Sequence, residues 1–414
     1  MSRFLSMWKT SVYNLTLRSL TLVSKFILVL FIARYLSPEE LGIYGLVSVT
    51  IVMAIYFLGM DFYTYNTREI LAGAEADQAR LVRDQLAFHG VVYLAVLPVL
   101  LLVFIGGFLP WRYIGWFYVL LVLEHLSQES HRLFLILSRS VIANMILFLR
   151  SGAWVYAVLA LIYFKADTKS LTTIWSGWII GVSLSLALSV YFLRTLDWRK
   201  ARRSPIDWQW IRRGLKKSLI FFGASMTMQA VQFAERYIVK YFNGEAMVGV
   251  YTFFANIANV IPTFIFTGII AILYPKIVSA FQKGKHDEYR ELMRKMGTGV
   301  ISGALILSVI AVISVRPVLN VVGKSIYNDH LAIFWIMIMS VSIMITSFIP
   351  YYGLYVRRLD RYILISTVTA VGVGLIFNLL LTPIFGIIGT ATSTLIGYSL
   401  LLILNIGFLR KKVV

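Results

Sequence analysis

Six basic side chains, Arg18, Lys25, Arg34, Arg132, Arg150 and Arg236, sit inside stretches apolar enough to cross a membrane. A cation near the bilayer centre costs about 2.5–3.5 kcal/mol even on the mildest insertion scale. Any fold of this chain must therefore pair these groups, let them reach an interface, or hydrate them. A single cation needs no special explanation, since snorkelling or one nearby carboxylate suffices. Only three carboxylates, Glu124, Glu129 and Glu235, are embedded with the six, so three positive charges are left over. That surplus predicts a polar interior suited to an anion.

The fold class follows from the same stretches. Charged residues make up 14% of the 414 and hydrophobic ones 59%, against about 25% charged in a soluble domain. Apolar segments near the 20 residues that cross about 30 Å of hydrocarbon recur throughout. Twelve are predicted, centred near residues 25, 50, 97, 123, 151, 183, 228, 260, 305, 342, 373 and 398. The chain is predicted to be an all-α, polytopic membrane protein of twelve helices, without barrel alternation. If the N-terminus is cytoplasmic, 27 of the 39 Lys and Arg fall on the inner side and six on the outer. This positive-inside bias places both termini inside. It also accounts for the net charge of +20 through orientation and anionic lipid heads, so nucleic acid is not expected as a partner. There is no cysteine, which excludes disulfides, thiol catalysis and cysteine metal sites. Residues 1–36 do not read as a cleaved signal peptide, because Lys25 interrupts the apolar run and no small-residue cleavage site follows.

The longest polar segment, Arg194–Lys217, falls at the midpoint and alternates Trp198, Trp208 and Trp210 with cations, the pattern of an interfacial segment. Residues 1–203 are expected to form one six-helix lobe and 204–414 the other. The halves echo one another. Leu41-Gly42-Ile43-Tyr44 returns as Val248-Gly249-Val250-Tyr251 at an offset of 207, closing one long span and opening the next in each half. Two parallel six-span repeats make an alternating-access carrier with substrate held between them.

Polar stripes run along several spans. Asn14, Arg18, Thr21 and Lys25 share one helical face, as do Ser225, Gln229, Gln232 and Arg236. The uncharged members can serve as helix–helix glue, but Lys25, in mid-span, is expected to line a hydrated cavity. Span four is the most polar, with Glu124, Gln128 and His131 in one row and His125, Glu129 and Arg132 in the next. An internal ladder, Glu129 with Arg132 and Glu124 with Gln128, is one reading. Ion coupling at Glu124, His125 and Glu129, for instance proton antiport, is the other, and Glu235 is a further candidate. Pro262, Pro275 and Pro383 mark bends. No metal or cofactor motif is found, and the absence of a phosphate loop argues against ATP hydrolysis. No catalytic residues are assigned and no enzyme is expected, although acid–base chemistry at span four leaves a membrane transferase or polymerase open.

Ala33-Arg34-Tyr35-Leu36-Ser37-Pro38-Glu39-Glu40-Leu41-Gly42-Ile43-Tyr44 resembles the first-loop signature of the polysaccharide-transport flippases. These are the O-antigen (Wzx-type) branch of the multidrug/oligosaccharidyl-lipid/polysaccharide (MOP) exporter superfamily. Glu235-Arg236-Tyr237, with Val248-Gly249-Val250-Tyr251, is similar to the marks that open the second half, with Glu235 where Asp is usual. Asn378 and Pro383-Ile384-Phe385-Gly386-Ile387-Ile388-Gly389-Thr390-Ala391 resemble the family's ending pattern. The resemblance implies a carrier in the bacterial inner membrane that moves undecaprenyl-diphosphate-linked oligosaccharide to the periplasmic leaflet. Membrane lipids, a proton or sodium coupling ion and polysaccharide-assembly proteins are its implied partners. Arg18, Lys25, Arg132, Arg150 and Arg236 would then bind the diphosphate, arginine through paired hydrogen bonds, with Arg34 near the outer mouth. Trp154, Tyr156, Trp175 and Trp178 are expected at interfaces in preference to stacking on sugar. A cation-coupled multidrug exporter of the same superfamily is the alternative.

Overall fold

A computed structural model describes the backbone of residues 2–413 and side chains from 13 to 411, except 166, 200, 220, 224 and 228. Arg3, Lys9, Lys200 and Lys412, which count toward the charge bias, lie outside the described side chains. Numbering only the spanning helices, α1 is Ser2–Tyr35, α2 Pro38–Gly59, α3 Gln78–Val99, α4 Ile114–Ile136, α5 Ser140–Phe164 and α6 Leu171–Leu193. Then come α7 (208–243), α8 (245–282), α9 His286–Val322, α10 Leu331–Val356, α11 Asp360–Phe385 and α12 Ile387–Val413.

Ten helical stretches pass on length and apolarity, and two physical facts raise the number to twelve. The 54-residue stretch Gln229–Gln282 is broken at Gly244, whose φ of 82° and ψ of 176° lie where a side chain would clash. Helix α4 is absent from the ten because Glu124, His125, Gln128, Glu129 and His131 make it too polar. The least apolar span is thus the one whose polar face needs explaining.

Local chemistry fixes the α1–α2 junction. Ser37 caps α2, and its hydroxyl accepts from the Glu40 N–H at 3.2 Å. The Glu40 carboxylate accepts from the Ser37 N–H at 2.9 Å, a reciprocal capping box. Pro38 occupies the first helical position, where no N–H is needed. Lys324 donates to the Leu36 carbonyl, which satisfies the end of α1.

The chain clusters into two compact units, Met1–Phe31 with Leu46–Ala230, and Ile32–Gly45 with Val231–Val414. In the first, α4 packs on α5 and α6, with Ser127 and Ser185 hydrogen-bonded at 2.6 Å. The basic midpoint segment is tied down there. Arg83 donates to the carbonyls of Ala201, Ser204 and Pro205, and it is itself paired with buried Asp84 at 2.5 Å. Trp210 is buried against Phe62 and Tyr65, and of the three tryptophans Trp208 is the one exposed. In the second unit α12 packs on α11 and α10. A tight crossing of α2 with α8 also lies wholly within it. A Cβ on Gly42 would meet the Glu245 carbonyl oxygen at 2.0 Å, and one on Gly249 would meet the Pro38 oxygen at 2.0 Å. The 207-residue offset of the sequence echo carries Gly42 onto Gly249 and Pro38 onto Glu245, so it exchanges the two sides of this contact. The repeated glycines are therefore the two sides of one pseudo-symmetric backbone contact.

Candidate functional site

Helix α4 presents its polar face to α3, α5 and α6 of the first unit. Glu129 is buried and binds Arg132 one turn on, at 2.6 Å, the rung that sequence spacing predicts. The Arg132 guanidinium lies 3.8 Å from the Tyr63 ring centre, a cation–π seat that steadies its charge. Glu124 does not pair with Gln128. It takes Arg150 at 3.3 Å and the Trp178 indole N–H at 2.5 Å, because α5 and α6 bring a cation and a donor closer than its own helix does. Arg150 rides on a π-helical turn, Leu149–Ala153, a distortion common at functional sites.

Arg18 and Lys25 complete the cluster. Arg18 donates to Asn144 at 3.0 Å, and Asn14 holds Ser140 and Asn144 one turn away, so the α1 stripe is seated on α5. Lys25 lies within electrostatic reach of Arg150 and Glu124 and is exposed along its side chain. Among the described residues neither Arg18 nor Lys25 forms an ion pair with a carboxylate. Four cations thus surround two carboxylates, a local surplus of two positive charges. His131 lies within electrostatic reach of Arg18, Arg132 and Arg150, and its buried Nε2 has no hydrogen-bond partner.

Residues outside the predicted set close the cluster on its α3 side. Gln85 donates to Glu129 at 2.7 Å and to His89 Nε2 at 3.2 Å. His89 Nδ1 meets the Leu58 carbonyl at 3.3 Å, which makes Nδ1 the donor and, in the neutral ring, leaves Nε2, 3.8 Å from Glu129, as the acceptor. Tyr93 meets His125 Nδ1 at 2.7 Å. The two imidazoles stand edge to face, 4.7 Å apart, and the buried Nε2 of His125 has no partner. Gln85, His89 and Tyr93 repeat at i, i+4 and i+8, the same test that picks out the α1 stripe, and would have revealed this face.

The other two predicted cations belong to the second unit. Arg34 packs on its neighbour Tyr35, 5.3 Å from the ring centre. Arg236 donates to the Gln232 carbonyl at 3.2 Å. Beside it Glu235 is buried and accepts from Tyr251 at 3.0 Å and Thr394 at 2.6 Å. It borders a cavity of about 50 Å³ that Asn259, Ser340 and Tyr398 also line. That volume suits one or a few waters or a bare cation. The tryptophans depart from an interfacial belt. Trp175 is fully buried against Tyr113, Trp178 serves Glu124, and Trp154 donates to the Arg150 carbonyl at 3.0 Å.

Residues 7–281 match the sequence model of a family described as polysaccharide biosynthesis protein. No curated protein matches the sequence significantly. Among solved structures the chain is similar to an inward-facing multidrug resistance MATE family transporter of the MOP superfamily. The identity is 14%, the TM-score 0.76, and the match covers 97% of this chain and 98% of that one. An outward-facing MATE transporter of that superfamily is similar at 14% identity and a TM-score of 0.63, over 97% and 95% of the two chains. A mutant of the Vibrio cholerae MATE transporter VcmN is similar at 14% identity and 0.53, over 98% of each. The fold is all-helical and multi-pass, as the sequence predicts, and is similar to the fold of these transporters.

Proposed function

Because the chain belongs to the polysaccharide biosynthesis protein family, we propose that it is a lipid-linked oligosaccharide flippase. Its substrate is an undecaprenyl-diphosphate-linked surface-polysaccharide repeat unit, such as an O-antigen unit. By alternating access of an N-lobe (1–203) and a C-lobe (204–414), it carries this unit from the cytoplasmic to the periplasmic leaflet of a bacterial inner membrane, for polysaccharide-assembly proteins to use. The supporting observation is the α4 cluster, where Arg18 and Lys25 stand beside two Arg–Glu pairs with no carboxylate of their own. A diphosphate supplies the missing negative charge and accepts paired hydrogen bonds from Arg132 and Arg150. Arg34 and Arg236 serve the same anion at other stages of the cycle. The undecaprenyl tail stays in lipid, so the protein has only to screen charge and hydrate sugar. Glu129 with His125, Glu124 and Glu235 are the places for a coupling proton or sodium.

The test is transport of a labelled lipid-linked glycan across the bilayer of reconstituted liposomes. Lys25→Ala is expected to slow transport at least tenfold, about 1.4 kcal/mol or more, with normal insertion and folding. Normal transport by a well-folded Lys25→Ala protein refutes the assignment. The fold likeness to multidrug resistance transporters favours one second reading, a cation-coupled exporter. An exporter moves a cationic dye, which the positive cluster at α4 repels, so dye transport with no glycan transport selects that reading.

A further inference from the structure

The α4 cluster is neutral at Glu129 only while Arg132 stays on it. Glu129 is buried, and the titratable groups facing it are His89 and Tyr93 from α3, and His125 and Arg132 from its own helix. Tyr63 lies beneath Arg132. From α2, Gly59 adds no charge, and a Cβ there would come within 3.9 Å of Glu129 Oε1. If Arg132 turns to a phosphate, this carboxylate loses its counter-charge in a site that water barely reaches. Glu124 does not face the same loss. When Arg150 leaves, Glu124 keeps the Trp178 donor and the nearby charge of Lys25.

The geometry already holds a place for the replacement charge. His89 is fixed with Nδ1 toward the Leu58 carbonyl and a bare Nε2 toward Glu129, 3.8 Å away. Gln85 bridges the gap by donating to both. A proton on His89 Nε2 turns that acceptor into a cationic donor aimed at the carboxylate. We propose that the Glu129–His89 pair takes up one proton from water whenever Arg132 leaves Glu129 for the diphosphate, so that proton and lipid-linked anion load together. The Arg132–Glu129 hydrogen bond breaks, an Arg132–phosphate hydrogen bond forms, and the incoming proton restores neutrality at Glu129. Linkage then makes each tighten the other's binding. The sign is that of a proton travelling with the anion, opposite to antiport through this helix.

This inference rests on the flippase reading, and one experiment separates the two. Calorimetric titration of the purified full-length protein with farnesyl diphosphate, in two buffers of different ionisation enthalpy at pH 7, counts the protons taken up per ligand. The wild type is expected to take up about one proton more than Glu129→Gln. Glu129→Gln is expected to bind about tenfold more tightly, because Arg132 no longer has to leave a charge behind. Any protons exchanged by the diphosphate itself are common to both proteins and cancel in the difference. His89→Gln, the second variant should Glu129→Gln fail to fold, is expected to bind the probe with reduced uptake. Equal proton counts in wild type and both variants, with binding that still depends on Arg132, overturn the inference and leave the flippase standing. No binding of the diphosphate by the wild type overturns both.

Discussion

Glu129 in the first unit and Glu235 in the second are both buried carboxylates on spanning helices, yet their environments differ in kind. Glu129 is held by the Arg132 guanidinium and the Gln85 amide, with His89 behind. Glu235 is held by two hydroxyls, Tyr251 and Thr394, while Arg236 turns away to a backbone carbonyl. On the proposed reading, one carboxylate stores an arginine that an anionic ligand draws off. The other offers a small polar hollow suited to a cation or a proton. That reading gives the first unit the exchange of counter-ions and the second the holding of one, a proposed division of labour between two buried sites.

The largest expected effect breaks this comparison at its cationic end. Arg132→Ala takes the counter-ion from buried Glu129, which costs up to about 3–5 kcal/mol of stability, less the share that proton uptake by the Glu129–His89 pair restores. Arg236→Ala removes a nearby charge but no hydrogen-bond donor from Glu235 and is expected to cost under about 1 kcal/mol. Chemical denaturation in mild detergent, read for both variants together, checks the contrast. Equal losses mean that Arg236 and Arg132 play the same role, and the proposed division falls.

How much of this the residues announce depends on whether the signal is local or assembled in space. The twelve spans, the Glu129–Arg132 rung and the polar stripe of α1 depend on spacing along single helices, and periodicity reveals them, whereas the seat of that stripe on α5 is assembled in space. The Gly42–Gly249 echo is visible as a repeat, but that the two glycines touch each other depends on helices 207 residues apart, which no local pattern encodes. Glu124 is the instructive miss. Its own helix offers Gln128 at the right spacing, and only packing of α5 and α6 shows that Arg150 and Trp178 reach it first. His89 was within reach of the sequence, as one of five histidines and set in an apolar span. The tryptophans mislead for a related reason. An indole N–H serves a buried carboxylate as well as it serves a headgroup, and composition does not distinguish the two.

An intermediate effect sharpens the second site. Tyr251→Phe removes one of the two hydroxyls on Glu235 and leaves Thr394 alone, a loss of a hydrogen bond to a charged group worth about 1.5–3 kcal/mol. It should also weaken whatever cation dependence transport shows, since the hollow loses the group that orients its carboxylate. Transport measured against sodium concentration and pH in liposomes checks this. An unchanged ion dependence in a folded Tyr251→Phe protein removes Glu235 from coupling.

The smallest effect comes from the matching deletion in the first unit. Trp178→Phe removes an indole donor 2.5 Å from Glu124, chemically the same kind of loss as Tyr251→Phe. Here the carboxylate retains Arg150 and the nearby charge of Lys25, so an ion pair shields what the lost donor exposes. The expected cost is about 0.5–1.5 kcal/mol, below that of Tyr251→Phe although the deleted hydrogen bond is the shorter one. Adding Lys25→Ala should reverse the order, because Glu124 then keeps one counter-ion and no neutral donor. The double variant is therefore expected to lose more stability than the sum of the single losses. Strict additivity would show that Lys25 does not share Glu124 with Arg150 and would free it to act on the ligand alone.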